Sequence, residues 1–186
     1  MESPTTDEDL VRAARQGDLE AFTQLVEREM DPLVNYLTYL TGSIDRAEDL
    51  AQDAFLRFFQ MLDRYEERGR LRSLIFRIAT NQLRNEERRK GRWRKIVPFL
   101  SNGHSEEPAI QKRILQDELL GKLSESLESL PLHYRAPVVL FEIEGWSYEE
   151  IARHLGCREG TVKSRIHRGR AKVRDRLKAY LGDCSP

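Results

Sequence analysis

The chain of 186 residues carries 31 lysines and arginines against 31 aspartates and glutamates, and 39% of its residues are hydrophobic. This length and composition predict one domain or two small ones with modest cores. No run of about 18 apolar residues occurs and the first ten residues are acidic, so we expect no transmembrane span, no signal peptide and a cytoplasmic location.

The hydrophobic periodicity is helical nearly throughout, and no segment alternates as a half-buried strand does, which predicts an all-α fold. Asp18 is placed to cap the second helix, and Asp45 with Glu48 resembles an acidic capping box at the third. Helices are expected at residues 8–16, 19–40, 45–64, 71–90, 112–129, 131–144, 147–155 and 160–181.

The interval "GRWRKIVPFLSNGHSEEPA", residues 91–109, contains two prolines, two glycines and a polar cluster, as interdomain linkers do. We therefore predict two small helical domains, 1–90 and 115–186, joined by a flexible linker at 91–114. An alternative stays open, in which part of this interval packs as an extension of the first domain through Trp93, Ile96, Val97 and Phe99.

Charge is distributed in alternating blocks along the chain. Residues 1–67 carry 6 basic and 16 acidic side chains, and residues 68–115 carry 13 and 4. Residues 116–152 carry 2 and 8, and residues 153–186 carry 10 and 3. Two separate basic blocks are typical of a protein that binds a polyanion through two surfaces, and the acidic blocks before them indicate another partner.

The segment "WSYEEIARHLGCREGTVKSRIHRGRAKVRDRL" has the pattern of a helix-turn-helix. Ser147 and Glu150 form a capping box that starts one helix, and Gly156 allows the positive-φ turn that ends it. A second helix then starts near Gly160, and the small Ala152 lets the two helices cross closely.

The second of these helices is strongly basic on one side. If Val162, Ile166, Val173 and Leu177 point into the core, four side chains lie outward as candidates for contacting bases: Lys163, Ser164, His167 and Arg168. Four more are placed to hold phosphates: Arg158, Thr161, Arg165 and Arg170. The alternative is a solvated basic face on a structural helix.

Metal binding finds little support in the sequence. His154, Cys157 and His167 could be zinc ligands, but each already has a place in the helix-turn-helix and a fourth ligand is missing. Cys157 and Cys184 lack disulfide-framework spacing, which agrees with a reducing compartment. We expect no metal and no cofactor.

The segment "LPLHYRAPVVLFEIEGWSYEEIARHLGCREGTVKSRIHRGR", with its "GTVKSRI" signature, resembles region 4 of bacterial sigma factors of the extracytoplasmic-function class. "AEDLAQDAFLRFF", residues 47–59, resembles sigma region 2.2, and "LRSLIFRIATNQLRNEERR", residues 71–89, resembles regions 2.3 and 2.4. A helix-turn-helix alone is weak evidence of function, because many regulators share one. Two different motifs in the family's order, covering about residues 9–90 and 115–180, are much stronger.

The resemblance implies an alternative sigma subunit that binds core RNA polymerase, directs promoter-specific initiation and performs no chemistry. It implies that an acidic helix face docks on the clamp helices of the largest polymerase subunit through Glu48, Asp49, Gln52 and Asp53. Part of the apolar set in residues 116–144 is expected to grip the flap of the second largest subunit. The linker is expected to thread toward the active site and the RNA exit path.

The resemblance also assigns promoter DNA to two helices. The helix-turn-helix residues from Arg158 to Arg168 would contact the −35 element. The preceding domain would recognise and melt the −10 element with side chains that hold phosphates and base edges: Arg70, Arg72, Arg77, Asn81, Gln82, Arg84, Asn85 and Arg88. Where the family often has Trp this chain has Leu74, so Tyr65 or arginine and backbone contacts must capture the unstacked base.

The remaining expected partner is an anti-sigma factor, and neither a small-molecule substrate nor direct membrane insertion is expected. A stand-alone helix-turn-helix regulator is the alternative function, and it would bind a symmetric site without polymerase. The acidic face at 45–59, which has no broad apolar dimer stripe, favours the sigma hypothesis. An enzyme is disfavoured because the sequence has no phosphate loop, metal-ligand spacing or nucleophile elbow.

Overall fold

The structure, a computed structural model, describes residues 6–66, 69–96 and 118–183, and the side chains of 6–66, 69–90 and 121–178. Every regular element within these ranges is a helix, so the all-α prediction is confirmed. The elements are α1 (Asp7–Arg15), α2 (Leu19–Thr41), α3 (Ile44–Met61), a 3₁₀ turn (Leu62–Arg64), α4 (Leu71–Ile96), α5 (Glu118–Glu128), α6 (Leu132–Glu142), α7 (Tyr148–Leu155) and α8 (Glu159–Asp183).

Short polar caps start the first three helices. The Asp18 carboxylate accepts hydrogen bonds from the backbone N–H groups of Glu20 and Ala21 at 3.0 and 3.1 Å, as predicted. At α3 the predicted Asp45 and Glu48 capping box is wrong. Ser43 is the N-cap and its hydroxyl accepts from the Arg46 N–H at 3.3 Å, because Gly42 ends α2 with a φ of +74° and only Gly42 and Ser43 separate the helices.

Helix α4 extends beyond its predicted end at residue 90. It continues through Gly91 to Ile96, into the interval that was predicted to be linker. The residues around Gly91 are arginines and lysines, which favour helix. The predicted helix 112–129 is described from Glu118 onward, and Val97 and Phe99 lie outside the described residues.

Helices α1 to α4 form the amino-terminal half around large, fully buried side chains, among them Tyr36, Phe58 and Phe76. Helices α5 to α8 form the carboxy-terminal half, in which Val162 and Ile166 of α8 are buried against α6 and α7. Gly169 permits the close crossing of α6 and α8, since a Cβ there would lie 2.6 Å from the Val138 methyl carbon Cγ2.

The two halves pack against each other along an interface that we call the seam. It joins α2 and α4 of the first half to α5, α6 and α7 of the second. The rings of Phe76 and Trp146 lie 5.5 Å apart across it, and Thr80 contacts His154 at 3.1 Å. One continuous cluster of buried side chains therefore extends through both halves.

Candidate polymerase and promoter surfaces

Local sequence sets the geometry of the helix-turn-helix formed by α7 and α8. The Ser147 N–H donates to the Glu150 carboxylate at 2.8 Å, and the Glu150 N–H donates to the Ser147 hydroxyl at 3.2 Å, which completes the predicted capping box. The Ser147 hydroxyl also donates to the Glu150 carboxylate at 2.7 Å, and this bond, followed by the one from the Ser147 N–H, lowers the pKa of Glu150. Gly156 ends α7 with a φ of +63°, and α8 begins three residues later.

The burial pattern of α8 separates a core face from an outer face. Val162, Ile166 and Val173 are buried, as predicted, and Leu177 is half-buried. The four residues predicted to contact bases are all exposed: Lys163, Ser164, His167 and Arg168. They stand together on the outer side of α8, where a helix inserted in a major groove presents its side chains.

The four predicted phosphate ligands are not equivalent. Arg158 is exposed beside the base-contacting group, and Thr161 is half-buried. Arg165 is half-buried and its guanidinium lies 3.9 Å from the Cys157 sulfur, on the side of α8 that faces α4. Arg170 is paired with Glu142 and lies over the Phe141 ring. In this arrangement Arg158 is thus the most available of the four.

Helix α3 presents the predicted acidic surface to solvent. Glu48, Asp49, Gln52 and Asp53 are exposed, while the opposite side of the helix is buried from Ala47 to Phe58. Leu56, seven residues after Asp49 on the same side, is 60% exposed, although sequence reasoning did not select it. The sequence could have indicated Leu56, because it is an apolar residue that continues the row of exposed polar residues at helical spacing. We call these five residues the α3 surface.

Part of the predicted −10 set forms an exposed polar stripe along α4. Arg77, Asn81, Asn85 and Arg88 are exposed at helical spacing, and Arg70 is exposed just before the helix. Arg72 pairs with Glu29 at 2.8 Å. Burial raises the pKa of the Glu29 carboxyl and outweighs the opposing effect of Arg72.

Two members of the predicted −10 set point elsewhere. Gln82 is buried, and neither atom of its amide has a hydrogen-bond partner. It lies four residues before Glu86, which pairs with Arg46 of α3 at 2.8 Å, so Gln82 faces α3 and not solvent. Arg84 is half-buried at the seam.

Leu74, which stands where the family often has Trp, and Tyr65, the aromatic candidate for base capture, are both half-buried. Leu74 packs against the core of the first half. Tyr65 packs edge-on against Phe58 with ring centroids 5.3 Å apart. A base could stack on Tyr65 only if this contact were given up.

Comparisons with known proteins support the two-part interpretation. The family model for sigma-70 region 2 matches residues 25–94, and that for sigma-70 region 4 matches residues 120–173. The ECF RNA polymerase sigma-E factor of Escherichia coli is 30% identical to this chain over 97% of it and 99% of the relative. The chain belongs to the sigma-70 family. It is a sigma factor of the extracytoplasmic-function class, which directs promoter recognition by RNA polymerase and is not an enzyme.

Other comparisons agree with this family assignment. The ECF RNA polymerase sigma factor SigE of Mycolicibacterium smegmatis is 38% identical over 90% of this chain and 66% of its own length. Among solved structures, CnrH in complex with the cytosolic domain of CnrY is 27% identical, with a TM-score of 0.66 over 96% of this chain and 99% of that one. The sigma factor RpoE in complex with the anti-sigma factor NepR from Bartonella quintana is 25% identical, with the same TM-score over 84% and 96%.

The seam of this sigma factor contains a buried polar chain. Thr80 donates its hydroxyl proton to the Phe76 carbonyl at 2.8 Å and accepts from the Tyr36 hydroxyl at 3.0 Å. Thr80 has one hydroxyl hydrogen, and the Phe76 carbonyl accepts it. The Nε2 of His154, 3.1 Å from the Thr80 oxygen, is therefore the donor in that contact, and Nδ1 is unprotonated. Nδ1 is buried without a partner, and burial followed by the charges of Arg77 and Arg84 lowers the pKa of His154 to about 4.

Arg135 joins the two halves at the other end of the seam, a role that its sequence context did not reveal. Its guanidinium donates to the backbone carbonyls of Leu40, near the end of α2, of Glu128, the last residue of α5, and of Leu130, just after α5. Helix ends leave such carbonyls without intrahelical partners. One side chain therefore satisfies unpaired acceptors in both halves.

The second half also carries an open apolar groove between α5, α6 and α8. Its volume is about 350 Å³, and Leu123, Leu127, Val138, Val173 and Leu177 line it. Ile143 at its edge is 39% exposed. In the part of the chain that the structure describes, no helix is long and apolar enough to cross a membrane, and no three His, Cys, Asp or Glu side chains converge as a metal site.

Proposed function

We propose that the three exposed surfaces divide the work of promoter recognition. The α3 surface binds the clamp helices of the largest polymerase subunit. The exposed stripe from Arg77 to Arg88 on α4 contacts the −10 element, and the outer side of α8 from Lys163 to Arg168 contacts the −35 element. The observation that carries this proposal is the separation of an exposed acidic surface from two exposed basic surfaces on three different helices.

The acidic surface repels DNA and suits a protein partner. Glu48, Asp49 and Asp53 place three carboxylates on one side of α3, with Leu56 beside them. A buried apolar anchor surrounded by polar groups is the usual composition of a protein interface centre. The two basic surfaces combine cations for phosphates with amide, hydroxyl and imidazole groups for base edges.

Simultaneous contact with both promoter elements requires the seam to separate. The element names place their centres about 25 base pairs apart, or about 85 Å along the duplex at about 3.4 Å per base pair. Across the seam, α4 and α7 are in direct contact, with 3.1 Å between Thr80 and His154. We infer that core polymerase holds the two halves apart, and that the free chain binds promoters weakly because it lacks this arrangement.

The apolar groove suits the flap of the second largest subunit. Its lining is almost entirely apolar, and Arg170, Arg174 and Lys178 stand at its border. An amphipathic helix with acidic flanks would fit such a groove. We further propose an anti-sigma partner in the cytoplasm, since CnrH and the Bartonella RpoE are in complexes with CnrY and with the anti-sigma factor NepR.

The test is reconstitution with core polymerase. The chain is co-purified with bacterial core RNA polymerase, and run-off transcription on genomic fragments is compared with and without it. Transcripts that start only when the chain is added are expected, and their start sites reveal the promoter sequence. Failure to associate with core, together with tight binding of the free chain to a palindromic duplex, would contradict the proposal and support a stand-alone regulator.

A further inference from the structure

A cavity of about 520 Å³ lies on the seam between α4 and the helix-turn-helix half. On the α4 side it is lined by Thr80, Arg84 and Arg88, and on the opposite side by His133 and Arg165. We call it the seam cavity. Its volume falls within the range of about 300–1,000 Å³ that is common for small-molecule sites.

Three arginines from the two halves converge on this cavity. In the described part of the chain, none of the guanidinium groups of Arg84, Arg88 and Arg165 lies within 4.0 Å of a carboxylate. Glu87 is the acidic residue of the lining, and it also acts on Arg135 of α6, where its charge opposes the effect of burial. The cavity therefore keeps a net positive charge.

The electrostatic effect of these arginines is felt by both neighbouring histidines. The pKa of His133 is lowered by burial and then by the charge of Arg165. The pKa of His154 is lowered by burial and further by Arg77 and Arg84. An anion placed between Arg84 and Arg165 would relieve this uncompensated charge.

The rest of the lining is apolar. Leu132, Ala136 and Pro137 of α6 and Leu155 of α7 form a wall beside the guanidinium groups. Phosphate matches the fork of an arginine, while a planar ring matches an apolar wall and the face of a guanidinium. The two kinds of lining together fit a ligand with one anionic end and one apolar end.

We propose that the seam cavity binds a small phosphorylated molecule with a planar or apolar part, of the chemistry of a nucleotide, and that the bound ligand holds the two halves together. Because Arg84 and Arg88 lie on one half and Arg165 on the other, the complete site exists only while the seam is closed. Binding itself does not depend on the proposed promoter function. The consequence of binding does depend on it, since Arg88 also belongs to the proposed −10 stripe and a bound ligand would keep the two promoter surfaces close together.

The test uses Trp146 as a reporter of the seam. The chain has two tryptophans, so Trp93→Phe leaves Trp146, which packs on Phe76 and His154, as the single emitter. This full-length variant is titrated with ADP, AMP and pyrophosphate in magnesium-free buffer at constant ionic strength, without polymerase or DNA. Binding is followed by calorimetry, and seam closure by the urea concentration at which Trp146 emission changes.

Saturable ADP binding that raises this urea midpoint is expected, with pyrophosphate binding more weakly because it lacks a planar part. Arg84→Gln and Arg165→Gln should each weaken ADP binding about tenfold or more, since each removes a charge-assisted contact. Arg89→Gln on α4 and Lys172→Gln on α8, both exposed and outside the cavity, should leave it unchanged. Far-ultraviolet circular dichroism checks that all variants remain folded.

Three results would overturn the proposal: no saturable binding of any of the three probes, equal weakening in the cavity variants and the two controls, or ADP binding that leaves the urea midpoint unchanged. The second would indicate diffuse attraction of anions to a basic surface, and the third a site on one half alone. Because polymerase and promoter are absent, none of these results would bear on the proposed promoter function.

Discussion

At the scale of single residues, His154 favours the closed seam only while its imidazole is neutral. Burial beside Trp146 and the charges of Arg77 and Arg84 from α4 oppose a positive charge on its ring, and together they outweigh the hydrogen bond to the Ser73 backbone, which favours that charge. The pKa is about 6.5 for a solvated ring and about 4 in the seam. The neutral ring therefore contributes its full stabilisation of the closed seam above pH 6.5. This stabilisation is lost as the pH falls toward 4, at up to about 1.4 kcal/mol per pH unit.

We predict that acidification between these limits opens the seam before it unfolds the halves. Emission of Trp146 in the Trp93→Phe chain, followed from pH 7 to about 4, measures the opening. His154→Gln is the matched control and should show a flatter dependence. Burial raises the pKa values of Glu29 and Glu144, so protonation of these carboxyls stabilises the folded chain as the pH falls. This opposite effect is present in both chains. Equal pH dependence in the two chains would contradict the role of His154.

Arg168 tests the outer side of α8. It is exposed beside His167 and Ser164, and its replacement by Ala should weaken −35 recognition by about 1–3 kcal/mol while core binding is unchanged. Run-off transcription on the native promoter and on a duplex altered in the −35 element measures the effect. Lys172→Ala, exposed one turn further along α8, is the control. Loss of core binding in Arg168→Ala would refute the assigned contact.

At the scale of elements, α3 presents a surface that can be changed without touching its core. Asp49→Lys combined with Gln52→Ala should abolish most of the affinity for core polymerase, and Leu56→Ala should reduce it, because charge and apolar contact are both lost. Co-purification with core measures both effects. Glu27→Lys reverses an exposed charge on α2 and should have no effect. Unchanged affinity of the α3 variants would remove the docking proposal.

The junction between α2 and α3 gives a stability prediction. Gly42 has a φ of +74°, and a Cβ there would lie 2.7 Å from the Glu128 carboxyl carbon of α5. The flexible end of Glu128 can move aside, but Ala is strained at this φ, so Gly42→Ala should lower the free energy of unfolding by about 1–2 kcal/mol. Urea denaturation measures it, with Gly121→Ala, which meets nothing within 4 Å in α5, as a control expected to be neutral or stabilising. Equal stability of the Gly42→Ala and parent chains would contradict this explanation.

Local signals predicted the helices well and the partners of individual side chains poorly. The Ser147 capping box, the Gly156 turn and the burial of Val162 and Ile166 follow from spacing within one segment. The burial of Gln82 and the position of Arg165 depend on how α4 packs on α3 and on the second half, which no local pattern encodes. Arg135 was missed for the same reason, since its acceptors belong to α2 and α5.

At the scale of the whole molecule, the formal net charge of zero is the sum of surfaces with opposite charge. The α3 surface is acidic, while the exposed sides of α4 and α8 are basic. The closed seam covers Arg84 and Arg165 between the halves and keeps the two basic helices too close for the spacing of two promoter elements. We therefore expect the chain to be closed when free and open when polymerase holds it.

The most direct test is a distance measured across the seam in both states. Spin labels at Gln60→Cys on α3 and Lys172→Cys on α8, both exposed, in a Cys157→Ser and Cys184→Ser chain, report the separation of the halves by double electron–electron resonance. We predict one narrow distance in the free chain and an increase of some tens of Å on binding core polymerase. The same short distance in a transcribing holoenzyme would contradict the account.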